Sequence, residues 1–136
     1  VGGGPAVEAS ILAVVIGLVM AFVLAAGRVT EAEAAADHAA RAATRSASIA
    51  RDPSQARAAA AEEARRVLAE QNLACDALTV AVEVTSSGDV TAAGQVVRAD
   101  VTCAVRWSDL GLPGAPGAHE VRAEFVSPVD RYRERS

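Results

Sequence analysis

Positions 9–27, ASILAVVIGLVMAFVLAAG, carry no charge and a single hydroxyl, and Arg28 ends the run. As an α-helix rising 1.5 Å per residue, this run extends about 28 Å, close to the hydrocarbon thickness of a bilayer. Such a helix either crosses a membrane once or is enclosed on every face by its own fold. A chain of 136 residues has too little mass beyond the run to enclose it. A cleavable secretory signal is the remaining alternative. The run is longer than the apolar core of a signal, and VGGGPAVE ahead of it holds no Lys or Arg for a basic leader. The pattern therefore predicts a single membrane-spanning helix over 4–28. The positive-inside rule applied to this chain alone puts the Arg-bearing side in the cytoplasm, and a basic leader ahead of the run would reverse that orientation.

The remainder has to fold with very few rings. Hydrophobic residues make up 51% of the chain and aromatics only 3%, so the large area that aromatic side chains bury is missing from any core. Ala supplies about a quarter of all residues instead. All 13 basic residues are Arg, against 17 acidic ones, for a net charge of -4. Arg without Lys beside so much Ala, Gly and Val is the mark of a GC-rich genome. The acidic surplus excludes nucleic acid as a partner, because phosphate binding draws on a net positive face.

Glu8 is the one ionisable side chain in the first 27 residues and stands directly before the apolar run. Pro5 suits the start of a helix, and a carboxylate in the first turns is favoured by the positive end of the helix dipole. Carboxylates inside a bilayer normally have a partner, so Glu8 is either an interfacial charge or one that awaits a cation from another chain.

The stretch GGPAVEASILAVVIGLVMAFVLAAGR resembles the N-terminus of type IV pilin-like proteins, and most of all the TadE-like pseudopilins of the tight-adherence pilus system. The resemblance extends loosely over an Ala-rich helix, a strand-rich tail with two cysteines and the C-terminal SPVDRYRERS, as in actinobacterial TadE-like proteins. It implies a prepilin-peptidase cut between Gly3 and Gly4, with residues 1–3 as the remnant of a leader. It also implies that the freed amine of Gly4 pairs with Glu8 of a neighbouring subunit and sets axial register. The partners so implied are the bilayer, other pilins or pseudopilins, the prepilin peptidase and the pilus assembly platform. The implied location is the cell membrane, with the C-terminal domain outside the cytoplasm.

Beyond the run, VTEAEAAADHAARAATRSASIA is free of Gly and Pro and continues the helix as a stalk over 29–51. Asp37 and Arg41 have the spacing of an i,i+4 pair on its solvated face. Asp52 then stands as a cap, with Pro53 in the first turn and Gln55 as capping-box partner, for a second helix from Pro53 to about Gln71. From Leu78 the period becomes two. Leu78, Val80, Val82 and Val84 alternate with polar neighbours, as do Val97, Ala99, Val101, Cys103 and Val105, and Glu120 to Val126 makes a third strand. SSGD with Gly88 supplies turn chemistry between the first two strands. The sheet needs a cover for its apolar face, for which the second helix is the nearest element. The expected fold is α+β, with a small three-stranded antiparallel sheet in a domain over 52–136.

Cys75 and Cys103 are the only cysteines. They pair if the tail lies outside the cytoplasm, or else remain two buried thiols. No CxxC or paired histidine suggests a metal, and His38 has no second ligand at metal-binding spacing. His38 and His119 are the only histidines, no phosphate loop follows a strand, and LGLPGAPG is a linker-like turn. Trp107 is expected to pack at the sheet edge. The chain is expected to have no catalytic residues, no cofactor and no small-molecule substrate. It works either by assembly or, alternatively, as a signal-anchored binding protein that does not polymerise or as an accessory subunit of a secretion machine.

Overall fold

The computed structural model describes residues 3–86 and 95–128. Two helices, α1 (Gly4–Ser48) and α2 (Pro53–Glu70), precede three strands, β1 (Ala77–Ser86), β2 (Gln95–Arg106) and β3 (Ala118–Pro128). The fold is α+β, and its sheet is antiparallel in the order β1-β2-β3. Ser87, Gly88 and Asp89 of SSGD, SPVDRYRERS beyond Pro128, and the first two residues lie outside the described residues.

α1 is one uninterrupted helix of 45 residues, about 67 Å long. No Gly or Pro interrupts it after Gly27, and Ala dominates its second half. Its two halves have opposite surroundings. Along the apolar run every large side chain is exposed, up to 76% for Phe22, whereas Ala32, Ala35, Ala36, Ala39, Ala40, Ala43, Thr44 and Ala47 are buried. Their spacing of three and four is one helical stripe. The 29–51 segment is therefore more than a stalk, since its stripe forms the floor of the core.

The cover of the sheet differs from the expectation. α1 lies across β2 and β3, while α2 packs mainly on α1 and, on the sheet, against β1. Thr44 marks the close approach, its Oγ1 lying 2.7 Å from the Ala40 carbonyl oxygen and 3.3 Å from that of Phe125. Methyl side chains allow this approach along the whole stripe. α2 contributes a narrower line of Ala56, Ala60, Ala64 and Leu68.

The ends of α2 also differ. The Asp52 side chain makes no cap bond; it accepts from the Ser54 hydroxyl instead, so the box with Gln55 is not closed. The helix starts on Pro53, and the Ala56 N–H donates to the Asp52 carbonyl at 2.8 Å. It stops at Glu70, one residue earlier than expected, because Asn72 turns left-handed at φ 56°. The Asn72 and Leu73 N–H groups then donate to the carbonyls of Ala69 and Leu68, a Schellman closure with Leu73 folded onto the core.

Period-two alternation set the strands correctly. Register places Leu78, Cys103 and Val121 side by side, then Val80, Val101 and Ala123, then Val82, Ala99 and Phe125. These rows face the helices. Val97, Val101, Val105 and Val121 are the largest wholly buried apolar side chains. On the outer face Arg98 pairs with Glu124 and Arg122 with Asp100, at 3.2 and 3.1 Å.

Candidate functional site

The N-terminal turn of α1 brings Gly3, Gly4 and Glu8 together. Gly3 occupies the cap position without a side-chain cap, and its carbonyl accepts the Val7 N–H at 3.1 Å. Pro5 follows in the first turn, where a missing N–H leaves nothing unsatisfied. Glu8 stands one turn beyond Gly4 on the same face, as the i,i+4 relation requires. It is exposed, and it has no ion-pair partner among the described residues. A Cβ at Gly3 or Gly4 would meet nothing within 4 Å, so the packing of this chain imposes no need for glycine at either position.

The helix following Glu8 satisfies its own polar atoms. Ser10 donates to the Ala6 carbonyl at 2.8 Å, and Thr30 to that of Ala26 at 3.1 Å. In an apolar medium this removes the cost of an unpaired hydroxyl. The helix is long and apolar enough to cross a membrane, and none of its apolar window is buried. A hollow lined by Ala6, Val7, Ser10, Ile11, Val14 and Val15 lies along this one helix with no opposing wall.

The second feature lies at the end of the stripe that adjoins the apolar run. Cys75 and Cys103 form a disulfide across a Cα separation of 5.4 Å, closing 28 residues of chain. Of the alternatives the sequence left open, this is the bonded one. Cys103 sits on the inner face of β2, wholly buried, and the Schellman turn after α2 aims residues 73–75 at it. Around the bond gather Ala32, Ala36, Val105, Leu110 and Val121.

The remaining polar groups do not converge. His38 is exposed on α1; His119 is the second residue of β3 and stands beside Trp107, ring centroids 5.1 Å apart. Trp107 thus packs on a histidine as well as on the cluster around the disulfide. Asp37 and Arg41 form the expected pair at 2.9 Å, and the Arg41 guanidinium also lies 5.1 Å from the centre of the Phe125 ring. On α2, the hydrogen bond from Arg66 holds the Glu63 carboxyl below its ordinary value, and the same bond raises Arg66. Among the described residues no group of three His, Cys, Asp or Glu side chains is placed to hold a metal.

Two structural residues were not anticipated from the sequence. Leu110, in the connection read as a linker, is 3% exposed and belongs to the core. Its only signal was a leucine in an apolar Gly- and Pro-rich stretch, which does not distinguish it from Leu112. Asn72 carried a weak signal, Asn being the residue after Gly that best tolerates a left-handed backbone. Comparison of the chain with family models, with curated proteins and with solved structures finds no match.

Proposed function

We propose that the chain is a TadE-like minor pilin or pseudopilin that is anchored in the membrane by α1 and takes part in assembly of a tight-adherence pilus. The observation that carries this reading is an apolar half-helix headed by a carboxylate, neither of which has a partner among the described residues. A prepilin peptidase cutting between Gly3 and Gly4 would place a new ammonium group one helical turn ahead of Glu8. Inside a bundle of such helices an ion pair is tolerated while a single charge is strongly destabilising. Pairing between the Gly4 amine of one subunit and Glu8 of the next therefore favours one axial offset over all others. The disulfide supports an outer domain in an oxidising compartment, because such bonds persist outside the cytoplasm.

The test is N-terminal sequencing and intact mass of the protein from membranes of a host that carries its pilus genes. A chain that begins at Gly4 supports the reading, and one that retains residues 1–3 overturns it. Glu8→Ala is expected to insert in the membrane yet fail to enter pili, and normal incorporation would remove the role assigned to Glu8.

A further inference from the structure

The connection between β2 and β3, residues 107–117, is a folded loop. The Leu110 and Leu112 N–H groups both donate to the Trp107 carbonyl at 3.1 Å, Ala115 donates to Leu112, and Trp107 donates to Gly117. Gly111 and Gly117 hold φ angles of 92° and 89°, a region other residues rarely enter. Leu110 plugs the loop into the core beside Ala32 and Ala36.

Its height along α1 is fixed at two points. Gly111 sits against Arg28, a Cβ there lying 4.0 Å from the arginine Cγ, whereas Phe125 meets Thr44. Sixteen residues of helix separate Arg28 from Thr44, roughly 24 Å. The sheet therefore stands along α1 with the 107–117 loop at the end where the apolar run stops. From Leu110 to Ala118 the sequence LGLPGAPGA contains no polar side chain. Leu110 points inward; Leu112, Pro113 and Pro116 are exposed, Leu112 to 40%. Trp107 stands half-buried at the base of the loop. An apolar loop tip with a tryptophan beside it, level with the first charge after a span, has the composition of an interfacial anchor.

We infer that this loop rests on the lipid surface, with Leu112 and Pro113 in the interfacial layer and Trp107 at headgroup depth. It rests on the reading of α1 as a membrane anchor, whose exposed apolar surface it continues. The consequence is mechanical. Because α1 is one continuous helix, a single span leaves the whole molecule free to tilt in the bilayer, and a second lipid contact beside the first limits that tilt.

Trp107 is the only tryptophan, so emission reports the loop directly. The full chain is reconstituted in phosphatidylcholine vesicles containing lipid spin-labelled at the headgroup or at the chain end. Trp107 is expected to lose most of its emission to headgroup label and little to chain-end label. In W107F/L112W the relocated tryptophan is expected to be quenched more strongly and to be shielded from aqueous iodide. W107F/V126W, at the opposite end of β3, is expected to be open to iodide and insensitive to either lipid. If the protein survives a carbonate wash on the vesicles but its Trp107 and Trp at 112 are untouched by labelled lipid, the loop contact is overturned and the anchor stands. If the wash releases the protein, the anchor itself is overturned and the loop contact with it. Shielding from iodide without lipid quenching, lost as protein is diluted in the bilayer, would assign the loop to a second copy and overturn the lipid contact.

Discussion

Reduction of the Cys75–Cys103 bond removes a constraint on the unfolded chain while leaving every side chain in place. The bond joins residues 28 apart, and the chain-entropy relation for a loop of that length gives about 3.5 kcal/mol. Small domains have a total stability of about 5 to 15 kcal/mol, so this is a quarter or more of what holds the outer domain together. For a folded unit of about 100 residues, 1 kcal/mol moves the melting temperature by roughly 4 to 8 °C, so reduction should lower it by roughly 14 to 28 °C. The assay is thermal unfolding of the full chain in detergent, followed by Trp107 emission, with and without reductant. Trp107 packs on the cluster that contains the bond, so its emission reports the folding of the outer domain. C75A/C103A should fall slightly further than reduction, because Cys103 is wholly buried and loss of its sulfur leaves a cavity. A reduced protein that melts within a few degrees of the oxidised one would refute the reasoning, provided mass spectrometry records the gain of two hydrogens.

Two further outcomes follow from the packing and the surface charges. Ala40→Leu places a bulky side chain at a wholly buried position in the α1 stripe and should cost about 1 to 3 kcal/mol by overpacking; Ala34→Leu, on the exposed side, should leave the urea midpoint unchanged. Because the Arg66 hydrogen bond lowers the folded-state pKa of Glu63, its contribution is fully present above the unfolded carboxyl value of about 4.3 and is lost as pH falls through the lowered one. Glu63→Gln should flatten the pH dependence of the urea midpoint in that acid range, by much less than the disulfide contributes, because surface pairs are weak; an unchanged acid limb would remove the role given to the pair.

The strands were legible because alternation over β1 and β2 has one answer: a one-residue shift of register would expose Val97, Val101 and Val105 together. The inward position of Cys103 followed from the same count. What covers the sheet was not legible, for a reason specific to alanine. Between positions 32 and 47 the buried stripe is almost wholly Ala while Glu33, His38, Arg41 and Arg45 take the exposed side, so the pattern marks an inward face, but side chains no larger than a methyl group give no measure of which helix packs closer to the sheet. The stop at Asn72 and the burial of Leu110 depend on tertiary contacts, with Leu73 folding onto Leu68 and Leu110 onto Ala32. Gly3, Gly4 and Glu8 were visible as a pattern, yet their chemistry requires a second chain, and no feature of one chain's fold decides it.

The size of the side chains along α1 argues for the reading of its first half as a membrane anchor independently of any motif. Burial of apolar area contributes about 25 cal/mol per Å², so a fold that used all of α1 for its own stability would enclose the largest side chains first. Here the order is inverted. Ile11, Leu12, Leu18, Phe22 and Leu24 are exposed to 59% or more, while the buried apolar residues of the same helix are all Ala. The alanine half is shaped for close approach within one chain and draws support from a covalent bond. The half rich in Ile, Leu and Val has apolar surface that nothing among the described residues covers. Water is the least favourable surrounding for it, which leaves lipid or other apolar helices to cover it.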